Sequence, residues 1–84
     1  MISCVDLFCG VGGLTHGLER SGIAVSAGFD LDDECRFAYE SNNESRFFSQ
    51  DVSSLTGKEI QKHWKTGSVS LLAGCAPCQP FSSY

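Results

Sequence analysis

The chain has 84 residues, with 6 Lys and Arg against 10 Asp and Glu for a net charge of -4, and it is 42% hydrophobic and 19% charged. That composition fits one small globular domain and excludes collagen-like, fibrous and disordered chains. A domain this short buries only about 60 to 65% of its unfolded surface, so its core is marginal. With so few Lys and Arg to neutralise phosphates, any broad nucleic-acid surface is expected elsewhere.

Taken in chain order, Ile2 to Phe8 reads as a short buried strand, followed by glycines and then a helix through Leu14 and Leu18 that stops at Ser21-Gly22. Ile23 to Phe29 reads as a second strand. Asp32, Asp33 and Glu34 place carboxylates at the positive end of a second helix, whose Leu31, Cys35, Ala38 and Tyr39 share one face and which ends at Asn42-Asn43. Arg46 to Gln50 is a third strand, and Thr56 and Glu59 stand at capping-box spacing before a third helix carrying Ile60 and Trp64. Val69 to Ala73 is the fourth strand, and Gly74 opens a loop that runs to Tyr84. Strands alternating with helices imply right-handed crossovers and a parallel sheet with helices on its faces. A sheet ending just past its fourth strand leaves an apolar edge to be covered by more chain or by a partner.

No apolar run approaches the ~20 residues that span a bilayer, and Met1 to Asp6 lacks the pattern of a signal peptide, so the chain reads as cytosolic. The five cysteines, Cys4, Cys9, Cys35, Cys75 and Cys78, are odd in number and irregularly spaced, as expected of reduced thiols rather than a disulfide framework. No repeat or linker divides the sequence.

Two segments carry chemistry. Asp6-Leu7-Phe8-Cys9-Gly10-Val11-Gly12-Gly13 lies where a strand runs into a helix, a place where glycines let backbone N–H groups approach a ligand. A dinucleotide fingerprint needs G-x-G-x-x-G; Gly10 and Gly12 fit, but Thr15 stands at the third position. Asp30 ends the second strand at the spacing of about 20 residues from which an acidic side chain grips ribose hydroxyls. Together these suggest an adenosine without a pyrophosphate, against the plainer reading of a packing turn and a solvated carboxylate. The second segment, Gly74-Cys75-Ala76-Pro77-Cys78-Gln79-Pro80-Phe81-Ser82, follows the fourth strand and falls on the same rim of an open parallel sheet. Its Cys75-x-x-Cys78 spacing also allows a redox dithiol or half of a zinc site. Zinc finds no second C-x-x-C and no paired histidines here, and Pro80 leaves little room for the helix that a thioredoxin-like motif needs after its first Cys, so both readings are demoted but stay open.

At these residues the sequence resembles the DNA (cytosine-5)-methyltransferases. Asp6 to Leu14 is similar to the family's first motif, Phe29-Asp30-Leu31-Asp32 to its second, Gln50-Asp51-Val52 to its third, and Ala76-Pro77-Cys78-Gln79-Pro80-Phe81-Ser82 to its fourth, in the family's order and over nearly the whole chain. The resemblance implies a Rossmann-like α/β fold, S-adenosyl-L-methionine as cofactor, and double-stranded DNA as substrate. Residues 1–84 would be the N-terminal portion of the catalytic domain of a bacterial or phage restriction-modification enzyme working at the nucleoid.

Carried over by residue, it makes Cys78 the nucleophile and puts Phe8, Gly10, Gly13 and Leu14 along the donor pocket. Asp30 would hold the ribose, Leu31 would pack on the adenine, Asp51 with Val52 beside it would accept from the adenine amino group, and Ser82 would touch a DNA phosphate. No metal is expected. The family's ring-protonating Glu, its Arg-bearing motif and its target-recognition region have no counterpart in these residues. The chain is therefore read as a fragment, or as one half of a split enzyme, inactive until joined by the missing C-terminal portion or a complementing subunit. A non-catalytic S-adenosylmethionine-binding module, a redox C-x-x-C protein and a partner-binding remnant stand as the alternatives. Cys75 is read as packing, His16 and His63 as solvated or core histidines, and Phe37, Tyr39, Phe47, Phe48 and Trp64 as core, since no basic residues are interleaved to make a stacking groove.

Overall fold

The computed structural model describes residues 2–64 and 67–74. Four parallel strands, β1 (Ile2–Leu7), β2 (Ala24–Asp30), β3 (Arg46–Ser49) and β4 (Val69–Gly74), lie in the order β3-β2-β1-β4. Helix α1 (Gly13–Arg20) joins β1 to β2, and a 3-10 turn over Asp33–Cys35 leads into α2 (Arg36–Asn42) before β3. A second 3-10 turn, Val52–Ser54, precedes the short α3 (Gly57–Gln61) and β4. The chain thus winds outward from β1 through β2 to β3, then returns to the other side of β1. That reversal makes a Rossmann-like sheet whose ligand crevice belongs at the carboxyl ends of the central strands.

Strand alternation divides the core into two layers. Val5, Ala27 and Phe29 are buried on one face under Leu7, Phe48, Val52, Leu55, Ile60 and Trp64, while Cys9, Tyr39 and Phe47 fill the other face with Cys35 beside them. The neighbours Phe47 and Phe48 therefore serve opposite layers. Phe29 stacks on Phe48 with ring centroids 5.2 Å apart, and His63 meets Phe29 edge-on at 5.3 Å. His63 is half-buried against these rings, and that burial, then the Lys62 charge, pushes its pKa below its usual value. His16, by contrast, is exposed, with Nδ1 3.3 Å from the Asn42 carbonyl.

Local signals place the element ends. Thr56 Oγ1 accepts from Glu59 N at 3.2 Å and Glu59 Oε1 accepts from Thr56 N at 3.3 Å, the reciprocal capping box expected from the spacing. Past the end of α1, Gly22 N donates to Glu19 O and Ile23 N to Leu18 O, both at 3.0 Å, the paired bonds of a Schellman motif.

Three details differ from the sequence reading. Leu31 does not join a helix face and is 68% exposed. Asp30 Oδ1 accepts from Asp32 N and Asp32 Oδ1 from Glu34 N, both at 3.0 Å, so side chains hold the backbone in turns before α2 can begin. Phe37 is 83% exposed rather than in the core, because two residues before the buried Tyr39 is about 200° round a helix. Helix α3 is only five residues long, so Trp64 follows it in a turn, where its indole Nε1 donates to Leu71 O at 3.2 Å. Strand β4 is an edge among the described residues, with Val69 and Leu72 half or more exposed, as the apolar-edge argument expects.

Candidate functional site

The loop between β1 and α1 turns sharply because Phe8, Gly10 and Gly12 all take left-handed conformations, with φ of 55, 54 and 92°. At Phe8 this is a sparsely populated state for a residue with a Cβ, a form of strain that clusters at ligand sites. Cys9 N donates to Phe29 O at 3.0 Å, tying the loop to β2, and Gly12 N donates to Cys9 O at 2.9 Å within the loop. Asp30 is the centre of these ties. Its Oδ2 accepts from Gly10 N at 2.9 Å, its Oδ1 from Asp32 N at 3.0 Å, and its carbonyl from Gln50 N at 3.0 Å, so the segments that follow β1, β2 and β3 are all tied to one residue. Each carboxylate oxygen has about two acceptor sites, so both can still take a hydroxyl.

Space and apolar surface surround that carboxylate. A Cβ built on Gly10 or Gly13 meets nothing within 4 Å. Phe8 (40% exposed), Val11 (60%), Leu14 (40%) and Leu31 (68%) all present apolar side chains to solvent along the same loops, an exposure that marks a binding surface when it is contiguous. Asp51 caps the turn after β3, its Oδ1 accepting from Ser53 N at 3.0 Å and from Ser53 Oγ at 2.8 Å. Those two bonds hold its pKa below the usual carboxylate value, and its Oδ2 is unengaged among the described residues. Val52 packs into the core beneath Phe29 and fixes the turn that carries Asp51. A carboxylate with acceptor sites to spare, an exposed aliphatic side chain beside it and a second acceptor in the turn after the next strand are groups that could hold an adenosine.

Beneath the loop lies a buried polar set that the sequence analysis did not single out. Asp6, Thr15 and Tyr39 are fully buried and Ser45 is 3% exposed. Thr15 Oγ1 is 2.6 Å from Asp6 Oδ2 and 2.9 Å from Tyr39 Oη, and Tyr39 Oη donates to Ser45 Oγ at 2.8 Å. Thr15, which departs from the dinucleotide fingerprint, is thus the residue that ties α1 to β1 and α2; glycine there would remove the tie. An ionisable Asp6 inside a mostly apolar strand was the available signal. Two glycines make room for Tyr39: a Cβ at Gly12 would lie 2.7 Å from its Cδ2, and one at Gly28 would strike its hydroxyl.

The thiols of Cys4 and Cys9 are free and buried. Burial first, then the charges of Asp6 and Asp30, push the Cys9 pKa up to about 12, and burial likewise raises Cys4. Strand β4 ends at Gly74, paired with Leu7 at the same end of the sheet. Cys75, Cys78 and Ser82 lie outside the described residues.

The structure thus gathers Phe8, Gly10, Gly13, Leu14, Asp30, Leu31, Asp51 and Val52 around three adjacent strand ends. Among the described residues no helix is long and apolar enough to cross a membrane. The chain is 50% identical over 80 residues to the type II methylase M.HgiDII of Herpetosiphon aurantiacus, covering 95% of this chain and 23% of that protein. It is 35% identical over 82 residues to the type II methyltransferase M.HindV of Haemophilus influenzae, covering 98% and 26% respectively. It therefore spans about a quarter of the length of these relatives. The crystal structure of Spodoptera frugiperda DNMT2 superposes with a TM-score of 0.75 at 25% identity, over 96% of this chain and 24% of that one. Residues 2–84 match the family described as C-5 cytosine-specific DNA methylase, and the chain belongs to that family.

Proposed function

We propose that the chain carries the donor site and the nucleophile of a DNA (cytosine-5)-methyltransferase acting on double-stranded DNA in the bacterial cytoplasm. In this reading residues 1–84 are the N-terminal part of the catalytic domain. The observation that carries it is the Asp30 carboxylate, tied to Gly10 N at 2.9 Å at the switch point of the sheet, with open space over Gly10 and Gly13. Asp30 holds the ribose hydroxyls, Leu31 and Phe8 cover apolar faces of the donor, and Asp51 accepts from the adenine amino group. S-adenosylmethionine, when bound, supplies the electrophilic methyl group. The ring-protonating acid and the target-recognition surface belong to the rest of the enzyme, so the 84-residue polypeptide alone does not methylate DNA.

The protein's own chemistry is at Cys78. Carbon 5 of cytosine is a poor nucleophile until the Cys78 thiolate adds to C6, forming an S–C6 bond and moving the C5=C6 electron pair to C5. After C5 is methylated, loss of its proton restores the double bond and expels the thiolate. The base must leave the duplex first, since C6 is inaccessible within the stack.

The test uses the catalytically competent enzyme and DNA carrying 5-fluorocytosine, whose fluorine cannot leave as a proton does. Cys78→Ser abolishes the trapped covalent complex on denaturing gels and Cys75→Ser leaves it largely intact. A complex that survives Cys78→Ser, or is lost equally with both changes, refutes the assignment and favours paired-thiol chemistry at Cys75-x-x-Cys78.

A further inference from the structure

The buried set beneath the donor loop can be read by counting protons. Three short oxygen contacts run in series, Asp6 to Thr15 at 2.6 Å, Thr15 to Tyr39 at 2.9 Å and Tyr39 to Ser45 at 2.8 Å. The Tyr39 hydroxyl donates to Ser45, which uses its single proton. The Thr15–Tyr39 contact must then take its proton from Thr15. With Asp6 ionised, Thr15 must donate its one proton to Asp6 as well, and one of the two contacts is left without a hydrogen. With Asp6 protonated, three contacts share three protons, each running the same way.

The surroundings point in the same direction. Asp6 is fully buried, and its Oδ1 has no hydrogen-bond partner among the described residues. An unpartnered oxygen is far more costly on a buried carboxylate than on the carbonyl of a neutral acid. The titratable groups that face Asp6 are Cys4 on its own strand, Cys9 in the loop, Asp30 at the end of β2 and Tyr39 on α2. All of them are acids, so none supplies a positive charge.

We propose that Asp6 is held as a neutral carboxylic acid at the head of a one-way hydrogen-bond chain, Asp6 to Thr15 to Tyr39 to Ser45, and that this chain positions the donor loop. Asp6 touches no substrate in this reading; it acts through Thr15 on the first turn of α1 and through Tyr39, whose ring lies against the Cβ position of Gly12. The neutral-acid half stands on the geometry alone, while the positioning half rests on the donor-site reading above. Desolvation, then the Asp30 charge, raise the Asp6 pKa against the lowering effect of Thr15. Ionising Asp6 at alkaline pH turns the Thr15 proton round, breaks its link to Tyr39 and loosens the loop.

The experiment uses the complete enzyme labelled with 13C at aspartate carboxyls, with the Asp6 signal assigned through backbone correlations in the unaltered protein. At pH 7 that signal holds the position of a protonated acid; a carboxylate position at pH 7 overturns the neutral-acid proposal whatever the donor does. S-adenosylmethionine titrations then test positioning. Thr15→Val weakens donor affinity about tenfold with little change in kcat, whereas Asp6→Asn, neutral and isosteric, stays within about threefold and removes the alkaline decline. A protonated Asp6 with undiminished donor affinity in Thr15→Val overturns the positioning role. Failure of the unaltered enzyme to bind the donor refutes the donor-site reading and the positioning role with it, while the carboxyl signal still decides the protonation state.

Discussion

Gly28 sits in the middle of β2, paired with Asp6 on one side and Phe47 on the other, and its missing side chain is what Tyr39 occupies. In Gly28→Ala the new Cβ would lie 2.5 Å from Tyr39 Cζ and 2.8 Å from Cε2, distances no real contact tolerates. The ring is fully buried, so it can yield only by leaving its place. Overpacking of this kind costs about 1–3 kcal/mol. Displacing the hydroxyl also breaks its bonds to Thr15 and Ser45, at about 1 kcal/mol each. Against this, alanine in a strand gains about 0.5–1 kcal/mol over glycine through the unfolded chain. The expected net loss is about 2–4 kcal/mol, a large part of the stability of a typical domain. Urea unfolding measures it directly. Gly17→Ala is the control: it lies in α1 with nothing within 4 Å of its Cβ and should stabilise by about 0.5–1 kcal/mol. On a Tyr39→Leu background the Gly28→Ala cost should shrink below about 1 kcal/mol, since the two positions share one volume. A loss under about 1 kcal/mol for Gly28→Ala alone, or an equal loss on both backgrounds, would refute the argument that this glycine exists to seat Tyr39.

Two further outcomes follow from the same geometry. A charge-assisted hydrogen bond contributes about 1.5–3 kcal/mol, so Asp30→Ala in the complete enzyme should weaken S-adenosylmethionine binding roughly ten- to a hundredfold by calorimetry, and Cys9→Ala should leave it unchanged; equal affinity in the Asp30→Ala and unaltered proteins would favour a purely structural carboxylate. With its pKa pushed up to about 12, Cys9 remains a protonated, buried thiol throughout the neutral and mildly alkaline range. Iodoacetamide at pH 8 should therefore leave Cys9 and Cys4 unmodified in the native protein and alkylate both after denaturation, as read by peptide mass; rapid native labelling of Cys9 would refute the burial argument.

Much of this molecule is local, and local features are legible in a sequence. The alternation of apolar runs with capped helical patterns is enough to name the four strands, the capping box at Thr56 and Glu59, the glycine stop after α1 and the position of Asp30 at a strand end, because each depends on residues a few positions apart. The parallel sheet follows from chain connectivity, since strands separated by a helix cannot form a hairpin. The tertiary structure decided what depends on distant residues meeting. It gave Thr15 a partner nine residues back and another on α2, turned Phe37 outward while burying Tyr39, and brought the Gly10 amide onto the Asp30 carboxylate. A buried acid such as Asp6 shows the limit most clearly: its residue type is plain in the sequence, but its protonation state depends on desolvation and on neighbours contributed by four separate segments, which exist only once the sheet and both helices have closed around it.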